Sequence, residues 1–287
     1  MNLADRRGHF RGVLAGDACV YPASVFDPIS ARIAADLGYE MGMLAGSVAS
    51  LAVLGAPDLI VLTLTEFAEQ ARRIARASDL PLMVDADHGY GNALNVMRTV
   101  QELETAGVAG LSIEDTLLPT PFGEVGTTRL VSIEEGVGKM RAALTARSDA
   151  SLAIFGRTGA MALAGVDEAI ARVRAYAACG VDAVFLTGVK ERAQLDALAE
   201  AKIGVPMMLG GVPAELADRA YLAARGVRIC LQGHQPFMAA VRAVYETLSA
   251  LRADTPPGAL HGVASDDMIR KWSHDSSYKI WMQQFFS

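Results

Sequence analysis

The chain has 287 residues, 52% hydrophobic and 20% charged, with 26 Lys and Arg against 32 Asp and Glu for a net charge of −6. That balance excludes wholesale disorder, and a chain this long buries a core that needs neither disulfides nor a structural metal. With a net negative charge and no basic stripe, it lacks the cationic footprint of a nucleic-acid binder.

Cys19, Cys179 and Cys230 lie far apart among apolar neighbours, the pattern of buried free thiols in a reducing compartment. The segment from Met1 to Gly16 carries Asp5, Arg6, Arg7 and Arg11 and has no continuous apolar stretch, so it does not read as a signal peptide. No apolar run approaches the roughly 20 residues needed to cross a bilayer. A cytoplasmic protein is expected, with no membrane or nucleic-acid partner.

In chain order, short apolar runs alternate with amphipathic stretches. The predicted strands are Ala18–Ala23, Met41–Ala45, Leu59–Leu64, Leu82–Asp85, Gly110–Glu114, Leu152–Arg157, Ala183–Leu186, Met207–Gly210 and Arg228–Leu231. The predicted helices are Thr65–Ala77, Asn92–Ala106, Ser132–Arg147, Val166–Cys179, Glu191–Ala201, Ala214–Arg225 and Pro236–Leu251. In the first of these, Phe67, Ala71 and Ile74 share one side. Gly107, Gly180, Gly204 and Gly226 follow helices, where a left-handed cap is wanted. Strands and helices alternating about eight or nine times imply a parallel sheet closed into a (β/α)8 barrel. An open doubly wound sheet would begin with an early glycine-rich turn, and none is present. A Thr255-Pro256-Pro257-Gly258 linker precedes an aromatic helical extension, so the chain reads as one barrel domain over 1–254 with a tail over 255–287.

Chemistry in such a barrel belongs at the C-terminal ends of the strands. Five predicted strands deliver polar groups there: Gly46-Ser47, Asp85 with Asp87 and His88, Glu114-Asp115, Arg157-Thr158, and Gly233-His234. Asp85 and Asp87 are two residues apart, so an extended chain points both the same way. With Glu114 they make a carboxylate cluster that like-charge repulsion forbids without a cation. An oxygen-only ligand set favours Mg2+, with Mn2+ as the alternative, over zinc. Arg157 either pairs with Glu114 or Asp115 or holds a substrate carboxylate, for which its planar fork is suited. His88 either orients a carboxylate or touches substrate. His9, His261 and His274 lie outside the rim and read as surface residues. Gly46-Ser47 offers backbone N–H groups and a hydroxyl to an anion.

The run DADHGYGN from Asp85 to Asn92, IEDT from Ile113 to Thr116 and Arg157-Thr158 resemble the phosphoenolpyruvate mutase/isocitrate lyase superfamily. IEDTLLP (Ile113 to Pro119), EEGVGKMRAAL (Glu134 to Leu144) and Gly233-His234 are similar, within it, to the bacterial oxaloacetate decarboxylase branch. The resemblance implies that Asp85 binds Mg2+ directly while Asp58, Asp87 and Glu114 hold its waters. It also implies that Ser47, Arg157 and His234 contact an α-keto acid, Arg157 and His234 acting in catalysis, and that Leu117 to Arg129 is a mobile gating loop. Here that loop reads Leu117-Leu118-Pro119-Thr120-Pro121-Phe122-Gly123, without the cysteine and lysines of the isocitrate-type lyases. The sequence departs from the branch at Gly159, which follows Arg157-Thr158, and at Gly210-Gly211, where a polar or aromatic pocket residue is expected.

The resulting expectation is Mg2+-dependent decarboxylation of oxaloacetate to pyruvate and CO2 through a metal-stabilised enolate. The alternatives are a lyase or hydrolase of another 2-oxo or 2-hydroxy di-acid, and a non-catalytic metabolite-binding barrel. The tail, with Trp272, Tyr278, Ile280, Trp281, Met282, Phe285 and Phe286, has more large apolar side chains than a closed barrel can use. The resemblance implies helices exchanged between barrels in a homotetramer, a dimer of dimers.

Overall fold

Eight parallel strands run in sequence order around the computed structural model: β1 Ala23–Ser24, β2 Gly42–Leu44, β3 Leu82–Asp85, β4 Gly110–Glu114, β5 Ala153–Thr158, β6 Ala183–Leu186, β7 Met207–Leu209 and β8 Val227–Cys230. Val20 closes the ring against β8: its N–H donates to Arg228 O at 2.9 Å and its carbonyl accepts from Cys230 N at 3.0 Å. The predicted first strand is therefore divided, Val20 pairing with β8 and Ala23–Ser24 with β2. The structure describes Met1–Ser287 as two compact units, Met1–Gly233 and His234–Ser287. The (β/α)8 class is the one expected from the alternation.

One expected strand is absent. Residues 59–63 form a loop, with Leu59 and Val61 exposed and Ile60 at φ 59°, and Leu64 opens a helix, Leu64–Ala75. The reason is topological. β2 pairs directly with β3 in register Gly42↔Leu82, which leaves no edge for another strand between them. Thr63 then begins the helix, taking the Glu66 N–H on its side chain while the Glu66 carboxylate reaches back to the Thr63 N–H at 2.9 Å. Phe67, Ala71 and Ile74 are buried as the helical spacing predicts, and burying each of the two large ones contributes about 1.5–3 kcal/mol. The predicted helix over 214–225 is likewise split. A 3-10 turn, Ala214–Leu216, precedes the helix Arg219–Ala224, because Asp218 caps a fresh start by accepting from Ala220 N at 2.9 Å.

The bottom of the barrel is plugged by the helix Leu3–Ala15. Its Phe10 is fully buried with Met41, Met83, Phe155, Phe185 and Met208 inside the strands, its ring edge-on to Phe155 at 6.1 Å. A β-carbon on Gly110 would lie 2.9 Å from the Phe10 ring, so this strand position is held to glycine by the plug. Arg7 donates to Val108 O at 3.0 Å and to Asp149 at 2.6 Å, and Arg11 to Asp182 at 2.5 Å, tying the plug to the strands' lower ends.

The second unit is helical: Gln235–Arg252, a 3-10 turn Pro257–Ala259, Asp266–Trp272 and Asp275–Phe285. None of these helices has a buried residue. Met238, Val241, Val244, Tyr245, Leu248 and Leu251 are exposed at helical spacing along the first. The boundary at Gly233/His234 falls ahead of the Thr255–Gly258 linker signal, which lies inside this unit. No helix of the chain is long and apolar enough to cross a membrane.

Candidate active site

Strand register builds the site. Asp85, the last residue of β3, is the partner of Ser112 on β4; Glu114, two residues beyond Ser112, is the partner of Arg157 on β5. Residues two apart on a strand share a face, so one serine, two carboxylates and one guanidinium converge at the upper ends of three adjacent strands. Ser112 Oγ donates to Asp85 Oδ1 at 2.9 Å. Arg157 reaches both acids, Nη1 donating to Asp85 Oδ2 and Nη2 lying 3.2 Å from Glu114 Oε2. The guanidinium also lies over the Phe185 ring, 5.2 Å from its centre.

The loop after β3 adds Asp87 in a left-handed conformation, φ 48°, its carbonyl accepting from Glu114 N at 2.8 Å. The helix Gly46–Leu54 begins immediately after β2, and a β-carbon on Gly46 would lie 2.6 Å from Asp87 Oδ1. Only glycine lets the Asp87 carboxylate come this close, and Ser47 follows it in the first helical turn. The structure therefore brings together Ser47, Asp85, Asp87, Glu114 and Arg157. Asp58 is exposed on the loop after that helix, yet its charge acts on Asp87. His234 lies four residues past β8 and opens the second unit, at the start of the helix Gln235–Arg252; it is described with that unit.

The electrostatics follow from crowding. Burial, then the charges of Asp85, Asp58 and Glu114, raise the Asp87 carboxyl well above the usual range, against the opposing pull of Arg157. Burial raises Glu114 too, partly offset by Arg157. Burial alone would lower Arg157, but Asp85 and Glu114 outweigh it and keep the guanidinium a fixed cation. Several carboxylates thus face one arginine, a local excess of negative charge. The donors are all oxygen, and no three acidic, histidine or cysteine side chains meet as a ready-made ligand cage. This set fits a hard divalent cation held by one or two carboxylates and its own waters.

Two residues of the motifs take structural roles. Asp115, fully buried, accepts from Tyr176 OH at 2.6 Å and from Arg172 Nη1 at 3.0 Å, so Arg157 pairs with Glu114 and not with its neighbour. His88 is buried and its carbonyl accepts from Lys139 Nζ at 2.9 Å; burial and the Lys139 charge lower its imidazole to about 4, leaving it neutral. Ser112 and Lys139 escaped the sequence reading. Ser112 was detectable from its i, i+2 spacing to Glu114, and Lys139 lies within the quoted EEGVGKMRAAL motif, on the helix Ile133–Ala146, where nothing in the sequence shows that it reaches the His88 carbonyl. Cys19 and Cys230 are buried, and burial raises their thiols to about 11 and about 12, unreactive values for residues that form no disulfide.

The segment after Glu114 is held at its base by the antiparallel bridge Thr116↔Leu130 and by Leu117 N donating to Arg129 O at 2.8 Å. At its tip Phe122 and Val125 are fully exposed.

A closed (β/α)8 barrel whose strand ends gather carboxylates around one arginine defines a class of enzymes that act on small anionic substrates with a divalent cation. Residues 10–252 match the phosphoenolpyruvate phosphomutase family, and the chain belongs to it. Oxaloacetate decarboxylase of Bradyrhizobium diazoefficiens is 58% identical over 279 residues, 97% of this chain and 96% of that protein. Among solved structures, oxaloacetate acetylhydrolase in complex with the inhibitor 3,3-difluorooxalacetate superposes with a TM-score of 0.85 at 28% identity, covering 96% of this chain and 95% of that one. Phosphonopyruvate hydrolase in complex with oxalate and Mg2+ does so with a TM-score of 0.85 at 29% identity, covering 98% and 99%.

Proposed function

We infer that this protein is a carbon–carbon lyase that decarboxylates oxaloacetate to pyruvate. The observation that carries this reading is the Asp85–Arg157–Glu114 arrangement at the barrel mouth, together with the 58% identity to an oxaloacetate decarboxylase over 97% of the chain. In the reaction the bond between carbon 3 and the distal carboxyl breaks, CO2 leaves, and its bonding electron pair enters the enolate of pyruvate. A proton from water then completes the product.

Asp85 would hold the cation directly, and Asp58, Asp87 and Glu114 would hold its waters. The cation would be Mg2+, with Mn2+ able to replace it, and when bound it would supply Lewis-acid chemistry to an α-keto acid. The chain's own residues do the rest. Arg157, held as a cation by its two acids, stands ready to stabilise negative charge as it develops on the enolate. Ser47 and the N–H groups beside it take the substrate carboxylate. No nucleophile is needed, in keeping with the high thiol pKa values of Cys19 and Cys230.

The test is pyruvate formation from oxaloacetate above the background rate of free Mg2+. Activity that vanishes on chelation and in Asp85→Ala is expected; an excess rate unchanged in Asp85→Ala overturns the reading.

Assembly follows the same logic. The exposed apolar stripe from Met238 to Leu251 and the aromatic helix Asp275–Phe285 support a homotetramer, built as two dimers that exchange their C-terminal helices. The acidic, thiol-bearing, disulfide-free chain supports a cytoplasmic location.

A further inference from the structure

The turn that carries Asp87 follows an uncommon backbone path. After β3 ends at Asp85, Asp87 stands at φ 48°, Gly89 at 80°, Tyr90 at 59° and Gly91 at 147°. Left-handed backbone is disfavoured for residues with a β-carbon, so Asp87 and Tyr90 keep it only where their surroundings impose it. The surroundings act on the carbonyls, and each of four in a row has its own donor. Ala86 O accepts from Gly89 N at 2.9 Å and Asp87 O from Glu114 N at 2.8 Å. His88 O accepts from Lys139 Nζ at 2.9 Å, and Gly89 O from Thr99 Oγ1 at 3.0 Å. The first bond lies within the turn and the second comes from β4. The other two come from side chains on separate helices, Ile133–Ala146 and Ala93–Ala106. Both side chains are buried. Lys139 is the one charged donor of the four, and hydrogen bonds from an ammonium are among the stronger kinds. A β-carbon on Gly89 would lie 2.4 Å from Val96 Cγ2, so the turn is also seated tightly on the helix that carries Thr99.

We propose that Lys139 and Thr99 are positioning residues for the cation site: by holding the His88 and Gly89 carbonyls from behind, they fix the turn that presents the Asp87 carboxylate. This rests on the functional reading above, in which Asp87 would hold waters of the cation. The turn has a reason to open. The charges of Asp85, Asp58 and Glu114 all act on Asp87, and like charges push it away from its neighbours. Glu114 N fixes the Asp87 carbonyl, and Lys139 fixes the next one along, so the two bonds together set the direction of the Asp87 side chain. Without Lys139 the His88 carbonyl is buried and unpaired, and the turn relieves this by rotating away. Neither Lys139 nor Thr99 is placed to touch the substrate. Their action passes through the backbone of the turn.

The experiment measures Mn2+ binding by electron paramagnetic resonance on the protein without substrate, and the KM for Mg2+ in oxaloacetate turnover. The wild type is compared with Lys139→Met, Thr99→Val and Met140→Ala. Met140 is fully buried beside Lys139 on the same helix, so its truncation costs stability without removing a bond to the turn. Lys139→Met should weaken Mn2+ binding and raise the KM for Mg2+ about 10–100-fold, with most of kcat restored at saturating metal. Thr99→Val, which loses a neutral bond, should do the same by a smaller factor. Met140→Ala should lower the melting temperature and leave both metal constants unchanged. Metal constants unchanged in Lys139→Met and Thr99→Val overturn the proposal, as does an equal loss in Met140→Ala or a wild type that binds no Mn2+. If Lys139→Met does not fold, Thr99→Val decides alone in the same sense. A wild type that binds Mn2+ without decarboxylating oxaloacetate, and loses affinity in both variants, supports the positioning role and removes the decarboxylase reading instead.

Discussion

Arg157 lies 3.2 Å from Glu114 because the parallel register of β4 and β5 makes the two residues direct partners. The same guanidinium reaches Asp85 on β3, so a single cation ties three strand ends together. It holds in place carboxylates that would otherwise repel one another.

Removing that cation has two separable effects. Arg157→Met should reduce kcat by about 10²–10³-fold, the size of a lost electrostatic contact to developing charge. It should also leave Asp85, Asp87 and Glu114 unbalanced. The variant is therefore expected to show a larger rise in melting temperature on adding Mg2+ than the wild type does. Steady-state kinetics and paired thermal melts check the two parts.

Ser112 donates to the Asp85 oxygen that Arg157 does not take. Ser112→Ala frees this carboxylate to turn and should weaken Mg2+ activation about 10–100-fold, the usual effect of losing a partner behind a metal ligand. The KM for Mg2+ is the readout, and a saturating metal concentration should restore most of kcat.

Adjacent residues should divide cleanly between activity and stability. Glu114→Gln is expected to impair turnover, whereas Tyr176→Phe removes only a hydrogen bond to buried Asp115. The cost there should be about 1.5–3 kcal/mol of unfolding free energy with kcat little changed, since the bond is to a charged acceptor. Urea denaturation and activity assays on both variants separate the roles.

Asp149, bonded to Ser151 and Arg7, is held down to about 2. Its folded-state pKa lies below the unfolded value near 3.9. Its contribution is thus fully present above about pH 5 and lost as pH falls through about 4 to 2. The carboxylate is partly exposed, so the effect is modest. Asp149→Asn should melt below the wild type at pH 7, and the gap should close toward pH 2, as measured by melts across that range.

Cutting the chain after Gly258 removes the helices Asp266–Trp272 and Asp275–Phe285. Light scattering should find the intact protein at the mass of four chains and the shortened one dissociated or aggregated. An intact chain that runs as a monomer at micromolar concentration excludes the exchanged tetramer.

The sequence by itself determined the alternation of strands and helices, hence the barrel, and the placing of Asp85, Glu114 and Arg157 at strand ends. These are local properties: a short apolar run that stops at a charged residue reports both its period and its end. Tertiary structure decided everything that depends on which strands are neighbours. Leu59–Leu64 has strand-like composition, but a closed ring of eight has no free edge, so the segment became a loop and the cap of a helix. Arg157 had two candidate partners one residue apart, and register gave it Glu114 while Arg172 and Tyr176 took Asp115. Side-chain direction within one strand follows from the backbone's two-residue period, but contacts between strands depend on a pairing that no single segment encodes.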